Sequence, residues 1–309
     1  MPSSSAPIDW TPMIIGFIAG LVSRLWSLRS GRDHFPGYPS GYVSQVALAT
    51  IAAMIGSSIL TALEGKEFTA ATFLTLAATQ FRDVRNTERR TLESEENLIL
   101  VPRGAGYIEG IAVTYEARNY LAMLVALVTS AGVQLFGALI GIAIGILALI
   151  VSEIMMSGPT VGEVIDVRPA KIHFEKGSLL YAGAVMLMEV GLPHTRQRWL
   201  DDGLGVELLP KNRRGQVVLW NVAQRAAITH SAAAAVGVQK DVGYPDQMPL
   251  CRMELPTPSG NAGLGILPID RDMDRLIEAI RHTPVLESGK WSPMRNTVKH
   301  REKSSESQI

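Results

Sequence analysis

The sequence predicts an α-helical membrane domain of about five transmembrane helices, followed by a small α+β cytoplasmic domain. Its most informative stretch is Tyr120–Met156, which contains no charged side chain before Glu153. Charged residues are sparse up to Glu64, dense between Arg82 and Arg118, and ordinary in number in the second half of the chain. This alternation is typical of a membrane domain that precedes a water-soluble one.

The apolar segments have the lengths of membrane crossings. A helix crosses a hydrocarbon core of roughly 30 Å with about 20 apolar residues. Tyr120–Met156 is too long for one crossing, so we expect two helices that meet near Ser130–Gln134. Arg24, near the end of the first segment, is expected to extend toward the lipid headgroups. The three earlier segments are Pro12–Leu28, Val43–Leu63 and Phe68–Phe81. The last of these is short, and an interfacial or re-entrant arrangement stays open for it.

The basic residues predict the orientation of the chain. Loops rich in Lys and Arg stay on the cytoplasmic side of a membrane. The first and third connections are rich in arginine, whereas the second contains only Lys66. We therefore expect a multi-pass protein of the cell membrane with its N-terminus outside and its C-terminal domain in the cytoplasm. The basic residues that decide this are Arg24, Arg29, Arg32, Arg82, Arg85, Arg89, Arg90, Arg103, Arg118, Arg168, Lys171 and Lys176.

These patterns also predict the domain boundaries. We expect residues 1–156 to form the membrane domain, with an arginine-rich cytoplasmic loop at 82–119. Residues 157–290 are expected to form the α+β domain, and the polar residues 291–309 a disordered tail. Segments rich in β-branched and aromatic residues predict the strands Val164–Glu175, Leu179–Val190, Leu250–Leu255 and Gly263–Ile269. A helix is expected over Arg213–Val236, ended by Gly237, and another after the cap Asp270, with an apolar stripe of Met273, Leu276, Ile277 and Ile280.

Composition excludes several classes of function. Lys+Arg and Asp+Glu both number 29, so the chain lacks the basic excess of a nucleic-acid-binding protein. Cys251 is the only cysteine, which favours a reducing compartment and excludes a thiolate metal cluster. Two Gly-Leu-Gly tracts, 203–205 and 263–265, lack the third glycine of a dinucleotide-binding loop. His230 stands beside Ser231, but neighbours on a helix point in different directions, so a surface histidine is expected. We expect neither a metal nor a cofactor.

The first candidate surface is a group of arginines after the third apolar segment: Arg82, Arg85, Arg89 and Arg90. If the third helix continues past the membrane, three of them share one face. They are expected either to contact anionic headgroups or to bind an acidic partner protein in the cytoplasm.

The second candidate surface lies just before the fourth span. Glu109 and Glu116 occur there among glycines, with Arg103 and Arg118 nearby to neutralise them. One interpretation is an ion-pair network that fixes the chain against the helix ends. The alternative is a pair of carboxylates for general acid–base or acid-protease chemistry. The candidate site residues are Arg103, Gly106, Tyr107, Ile108, Glu109, Gly110, Ile111, Ala112, Glu116 and Arg118.

The hexapeptide Tyr107-Ile108-Glu109-Gly110-Ile111-Ala112 makes a resemblance specific. It carries the sequence for which the YIEGIA family is named. Three further tracts also resemble that family, at 116–122, 221–225 and 283–287. The resemblance implies a polytopic membrane protein of endospore-forming bacteria, with a role in sporulation, in the forespore and in connection with regulated proteolysis. It implies no catalytic residue.

Three functions are consistent with these features. The first is a membrane-anchored regulator that binds a cytoplasmic protein. The second is a membrane protease or protease subunit that acts on a cytoplasmic regulatory protein. The third is a transporter of small solutes. Gly137, Gly141 and Gly145 recur at four-residue spacing in the last span. Such a stripe lets another helix approach closely, either within the chain or in a homo-oligomer.

Overall fold

The structure is a computed structural model that describes residues 9–28, 39–64, 69–96, 98–156, 158–239, 245–254 and 260–286. The predicted loop Ser30–Gly41 lies mostly outside these residues, and so do the Gly65–Glu67 turn and the tail at 291–309. Arg29, Arg32 and Lys66 are likewise outside them.

The chain divides into two compact units. The first, called the helical unit, contains the chain up to Arg89 together with Ile111–Ser157. The second, called the α+β unit, contains Arg90–Gly110 together with the chain from Gly158 onward. Part of the segment expected to be a loop of the membrane domain therefore packs with the α+β unit.

The helical unit is built from five described helices. They are α1 (Thr11–Ser27), α2 (Pro39–Glu64), α3 (Thr69–Glu96), α4 (Ala105–Phe136) and α5 (Ala138–Met156), of which α3 and α4 each extend into the α+β unit. Helix α3 runs well past the apolar segment because residues 69–101 contain no glycine or proline to end it. Much of the segment 82–119 is thus helical.

Helices α4 and α5 are both long and apolar enough to cross a membrane. Shorter apolar helical stretches lie at Thr11–Ser27 and Gln45–Thr61. The break between α4 and α5 falls at Gly137, later than the expected 130–134, because Gly137 adopts a positive φ of 84° that other residues disfavour. Gly141 packs against Val133 and Gly145 against Thr129, so these two glycines let α5 approach α4 within the chain.

Apolar side chains cover the outside of the helical unit. Leu139 is 86% exposed, and only 11% of the most apolar stretch of α5 is buried. Polar side chains lie inside: Arg24 is 1% exposed and Asn119 is completely buried. The buried hydroxyls of Ser57, Thr129 and Ser130 all lie in this unit. A buried arginine together with large exposed apolar side chains is uncommon in a water-soluble domain.

The α+β unit has three layers, which are a four-stranded sheet, a three-stranded sheet and the helices that pack on the larger sheet. A four-stranded antiparallel sheet has the strand order β1-β5-β7-β6, and a three-stranded antiparallel meander has the order β2-β3-β4. The strands are β1 (Ile165–Ala170), β2 (Ile172–Glu175), β3 (Leu179–Ala182), β4 (Val185–Glu189), β5 (Leu204–Pro210), β6 (Leu250–Met253) and β7 (Ala262–Ile266). The helices are α6 (Val161–Val164), α7 (Pro193–Asp202), α8 (Arg213–Trp220), α9 (Val222–Val236) and α10 (Met273–His282), with a 3₁₀ turn at Pro245–Gln247.

Strand β7 is buried along its whole length and joins the three layers. Its large residues, such as Leu264, belong to the core shared with α9 and α10. Gly263 and Gly265 alternate with them, and a side chain at either position would collide with Val185 or Leu187 of β4. Gly205, Gly263 and Gly265 therefore lie in strands, where Gly205 pairs directly with Gly265, whereas Gly203 ends α7. The glycines in the strands allow close sheet packing.

The structure corrects several expectations for this unit. The predicted strand Val164–Glu175 is two strands, β1 and β2, which belong to different sheets. The predicted strand Leu179–Val190 is also two strands, β3 and β4, which pair with each other. The predicted helix Arg213–Val236 is interrupted at Asn221, whose side chain caps α9. Asp272 caps α10, because its carboxylate accepts a hydrogen bond from the Arg275 amide at 2.9 Å, whereas Asp270 pairs with the Arg275 side chain. The apolar stripe of α10 and the end of α9 at Gly237 are confirmed.

Candidate functional site

Three of the sequence tracts that carry the family resemblance meet in the α+β unit. They are the start of the hexapeptide at 107–110, the tract 221–225 at the start of α9 and the tract at 283–286 after α10. We call this region the tract junction. Asn221 begins it, because its side-chain oxygen accepts a hydrogen bond from the Ala223 amide at 3.0 Å.

Gln224 links α9 to the chain after α10. Its side-chain amide donates to the Pro284 carbonyl at 3.0 Å, and its side-chain oxygen accepts from the Leu286 amide at 2.7 Å. Gln224 is fully buried. A buried glutamine with both ends bonded to backbone fixes the position of the segment that it holds.

Glycines let the start of α4 approach α9. Gly106 faces Ala223 so closely that a side chain there would collide with it. Gly104 faces Ala226 and has a positive φ of 85°. Gly110 lies against Leu286, where an added Cβ would be 3.4 Å from the leucine methyl. The glycines of the second candidate surface therefore serve close packing at the tract junction.

His230 also lies at the tract junction. Its Nδ1 is 2.8 Å from the Val101 carbonyl oxygen, and its ring meets the Tyr107 ring edge-on with the centroids 6.3 Å apart. His230 is therefore a half-buried residue of α9 whose ring ties that helix to the chain before α4. No signal in the sequence connects His230 with Tyr107, because the two residues are far apart along the chain.

Acidic residues at the end of α3 hold the turn into α4. The Glu96 carboxylate accepts hydrogen bonds from the backbone amides of Arg103, at 3.3 Å, and Gly104, at 2.8 Å. The Arg103 side chain forms an ion pair with Glu95 at 3.3 Å. The structure thus pairs Arg103 with Glu95. Glu109 is half-buried, and the adjacent Ile108 is buried.

In the helical unit, Glu116 is paired with an arginine of α3. The Arg85 guanidinium lies 3.2 Å from the Glu116 carboxylate. Arg82, Arg89 and Arg90 are exposed on the same helix. Arg118, expected to neutralise an acidic residue of the second candidate surface, is buried beneath the Tyr115 ring, 6.0 Å from its centroid. Ile111 and Ala112 are buried. The ion pair with Arg85 is consistent with a structural role for Glu116.

The remaining family tract, at 116–122, supplies a buried polar cluster. Arg24 donates to the side-chain oxygens of Asn119 at 3.0 Å and Gln45 at 2.6 Å, and more weakly to Ser27 at 3.4 Å. The expectation that Arg24 extends to the headgroups is therefore wrong, since acceptors from three helices replace water around it. Gln45 and Asn119 were the available signal, because polar amides are uncommon in apolar segments.

Tyr120 and Ala122 complete the packing role of this tract. The Tyr120 ring meets Phe81 of α3 edge-on, with the ring centroids 5.1 Å apart. Ala122 is buried with Ala52 of α2, and its carbonyl faces Gly20 of α1. The tract therefore joins α4 to the three helices that precede it.

Comparison with known proteins agrees with these features. A protein of Bacillus subtilis (strain 168), described as "Uncharacterized protein YphB", is 36% identical over 277 residues, which cover 90% of this chain and 92% of the relative. No solved structure matches the chain. The YIEGIA protein family matches residues 12–296, a range that contains the hexapeptide, the tract junction and the buried polar cluster. The chain therefore belongs to the YIEGIA family.

Proposed function

We propose that this protein is a multi-pass membrane protein of about five crossings that acts as a non-enzymatic regulator. Its N-terminus would lie outside and its α+β unit in the cytoplasm, where it would bind a protein partner. Family membership and the resemblance described above favour a role in sporulation, in the forespore membrane.

The observation that carries the membrane location is the reversed polarity of the helical unit. In water, exposing Leu139 and burying Arg24 would both be unfavourable. In lipid, an apolar side chain is favourable on the outside and a charged one is favourable inside. Lipid offers no hydrogen-bond partners, so polar side chains turn inward and bond to one another. The exposed apolar residues of α1 and α5 extend this surface beyond the two longest helices: Ile14, Ile18, Val22, Leu25, Ile140, Ile146, Leu147, Ile150, Val151, Ile154 and Met155.

The roles of the candidate residues support a regulator. Glu116 is held by Arg85, and the glycines of the hexapeptide pack against α9. These contacts account for the family tracts by structure alone. The surface that we propose for a partner includes the exposed arginines Arg82, Arg89 and Arg90, whose charge fits an acidic protein.

Cysteine labelling tests the topology directly. Cys251 is buried, so a Cys251→Ser background can carry single new cysteines at exposed positions. Asp9→Cys should react with a membrane-impermeant maleimide in intact cells, and Leu98→Cys and Glu278→Cys only after permeabilisation. Labelling of Glu278→Cys in intact cells would contradict the proposed orientation. Release of the whole protein by alkaline carbonate would contradict the membrane location.

Charge reversal tests the regulatory role. Arg82→Glu with Arg89→Glu should weaken in-cell crosslinking to an acidic partner and impair sporulation at normal protein abundance. Glu109→Gln and Glu116→Gln are the matched variants for the protease alternative. Loss of function in these two variants, with normal abundance and intact partner crosslinking, would favour an enzyme and contradict the proposal.

A further inference from the structure

A half-open cleft lies among α1, α4 and α5 in the helical unit. Its polar lining consists of Ser23 and Ser27 from α1, Arg118 from α4, and Ser152 and Glu153 from α5. Leu121 and Met156 complete it. Three helices thus place an arginine, a carboxylate and three hydroxyls at one position, near the carboxyl ends of α1 and α5.

Arg118 is the unusual member of this cleft. It is only 9% exposed, yet its Nε–H has no hydrogen-bond partner among the described residues. A guanidinium presents five N–H donors in a planar arrangement. A buried donor without an acceptor is unfavourable, so an acceptor from outside the chain would stabilise this arrangement.

The charges around the cleft are also unbalanced. Arg24 lies close enough to Arg118 for the two positive charges to repel each other. The acceptors of Arg24 are the neutral groups of Asn119, Gln45 and Ser27. Glu153 attracts Arg118, and the Tyr115 phenol lies near both guanidinium groups. Among the described residues that act on this pair, one carboxylate therefore faces two guanidinium groups.

We propose that this small cleft binds the oxygen atoms of a phosphate group that lies at its open side, with the Arg118 guanidinium as their main donor. The planar donors of arginine match the oxygen atoms of phosphate in two parallel hydrogen bonds. The Ser23 hydroxyl, whose oxygen is 3.5 Å from that of Ser152, can turn to donate to the same anion, whereas the Ser152 hydroxyl donates to the Leu149 carbonyl at 2.8 Å. The anion would balance the positive charge that the single carboxylate of Glu153 leaves on the two guanidinium groups.

The phosphate can come from a lipid headgroup or from solution. The carboxyl ends of α1 and α5 lie on the cytoplasmic side in the proposed topology, where anionic lipids give the membrane its negative surface charge. The choice of a lipid source rests on the proposed membrane location, whereas the binding of phosphate at Arg118 does not.

Native mass spectrometry of the full chain in neutral detergent tests the site. The delipidated protein is titrated with phosphatidylglycerol, with phosphatidylcholine and, separately, with inorganic phosphate. Arg118→Gln should weaken phosphatidylglycerol binding about tenfold, as expected for loss of a charge-assisted hydrogen bond. Arg168→Gln removes an exposed arginine of the α+β unit and should leave binding unchanged.

A second variant predicts the opposite change. Glu153→Gln removes the carboxylate that competes for Arg118, so phosphate binding should become several-fold tighter. A purely structural ion pair would instead lower the thermal unfolding temperature of this variant and leave binding unaltered. Arg118→Lys keeps the charge without the planar donors, and it should bind between the wild type and Arg118→Gln. These two variants carry the test if Arg118→Gln does not fold.

The outcomes are distinct. Tighter binding of phosphatidylglycerol than of inorganic phosphate, with the predicted order of variants, supports a lipid headgroup. The same order with inorganic phosphate alone supports a soluble phosphate. Equal binding by the wild type, Arg118→Gln and Glu153→Gln overturns the site. Because the assay is done in detergent, it can succeed when the cysteine labelling contradicts the proposed topology, so the two failures are distinguishable.

Discussion

Arg24, Asn119 and Ser130 are buried in the helical unit while Leu139 is exposed, whereas the α+β unit buries Leu264 and Trp199 and exposes its charged residues. The buried polar groups of the helical unit bond mainly to other side chains and to helix carbonyls. The buried apolar groups of the α+β unit pack between sheets and helices. This difference is what the proposed membrane location requires, because it places the two halves of one chain in different surroundings.

The largest expected effect concerns the core of the α+β unit. Trp199 of α7 is completely buried against the small sheet, and its Nε1–H donates to the Asp246 carbonyl at 2.9 Å. Trp199→Ala should lower the free energy of unfolding by about 4 kcal/mol, because it leaves a cavity and an unbonded carbonyl. Pulse proteolysis of the full chain in detergent and urea measures this change. Trp220→Ala is the control, since Trp220 is partly exposed, and a loss as large there would contradict the layered core.

The next prediction distinguishes the surroundings of the two units. Leu147, at the middle of α5, is 60% exposed, and Val222 of the α+β unit is 69% exposed. If α5 faces lipid, Leu147→Asp should cost about 3 kcal/mol of insertion free energy. Val222→Asp should change stability by less than about 0.5 kcal/mol, as for an exposed residue in water. The measurement is the fraction of each variant that resists carbonate extraction. Equal fractions would contradict the proposal that α5 faces lipid and the α+β unit faces water.

A smaller effect is expected at the tract junction. Gln224→Ala leaves the Pro284 carbonyl and the Leu286 amide without their partner, which should cost about 2 kcal/mol. The same substitution at Gln197, an exposed residue bonded to Asp201, should cost little. Urea unfolding of both variants checks this. If Gln224→Ala were as stable as Gln197→Ala, the junction would not depend on this side chain.

The smallest effect near neutral pH concerns Cys251. Burial raises the pKa of its thiol to about 12, so the folded chain keeps the proton at a pH where the unfolded chain has lost it. Stability should be unaffected below pH 9 and should fall as the pH rises from about 9 toward 12. Native Cys251 should react with a maleimide at pH 8 at least about 100-fold more slowly than Glu278→Cys in a Cys251→Ser chain. Equal rates would show that the thiol is accessible.

Much of the local structure could be predicted from the sequence. The apolar stripe of α10 repeats at helical spacing, and Gly237 ends α9 because glycine readily adopts the positive φ found there. The α+β character of the second half was also predictable. Strand β5 and helix α7 were not predicted, and the break at Asn221 was missed because it depends on one cap within an alanine-rich pattern.

The candidate site was predictable in its residues and not in its arrangement. The family tracts were recognisable as sequences, but nothing local indicates that Gln224 bonds to the chain near Leu286. Arg103 and Arg118 were expected to neutralise Glu109 and Glu116, but the ion pair of Glu116 is with Arg85 on another helix. Neighbours two residues apart on a helix do not face each other, so α3 supplied the ion-pair partner.

The order of apolar, charged and β-branched residues by itself determined that a helical region precedes an α+β region, because helix and strand periodicities are local properties. Tertiary structure alone decided that Arg24 turns inward to Asn119 and Gln45, and that Gly205 and Gly265 pair between two strands. It also decided that the tracts around Tyr107, Asn221 and Pro284 meet. The reason is that hydrogen bonds and close packing between distant segments depend on which faces the fold brings together, and that information is spread over the whole chain.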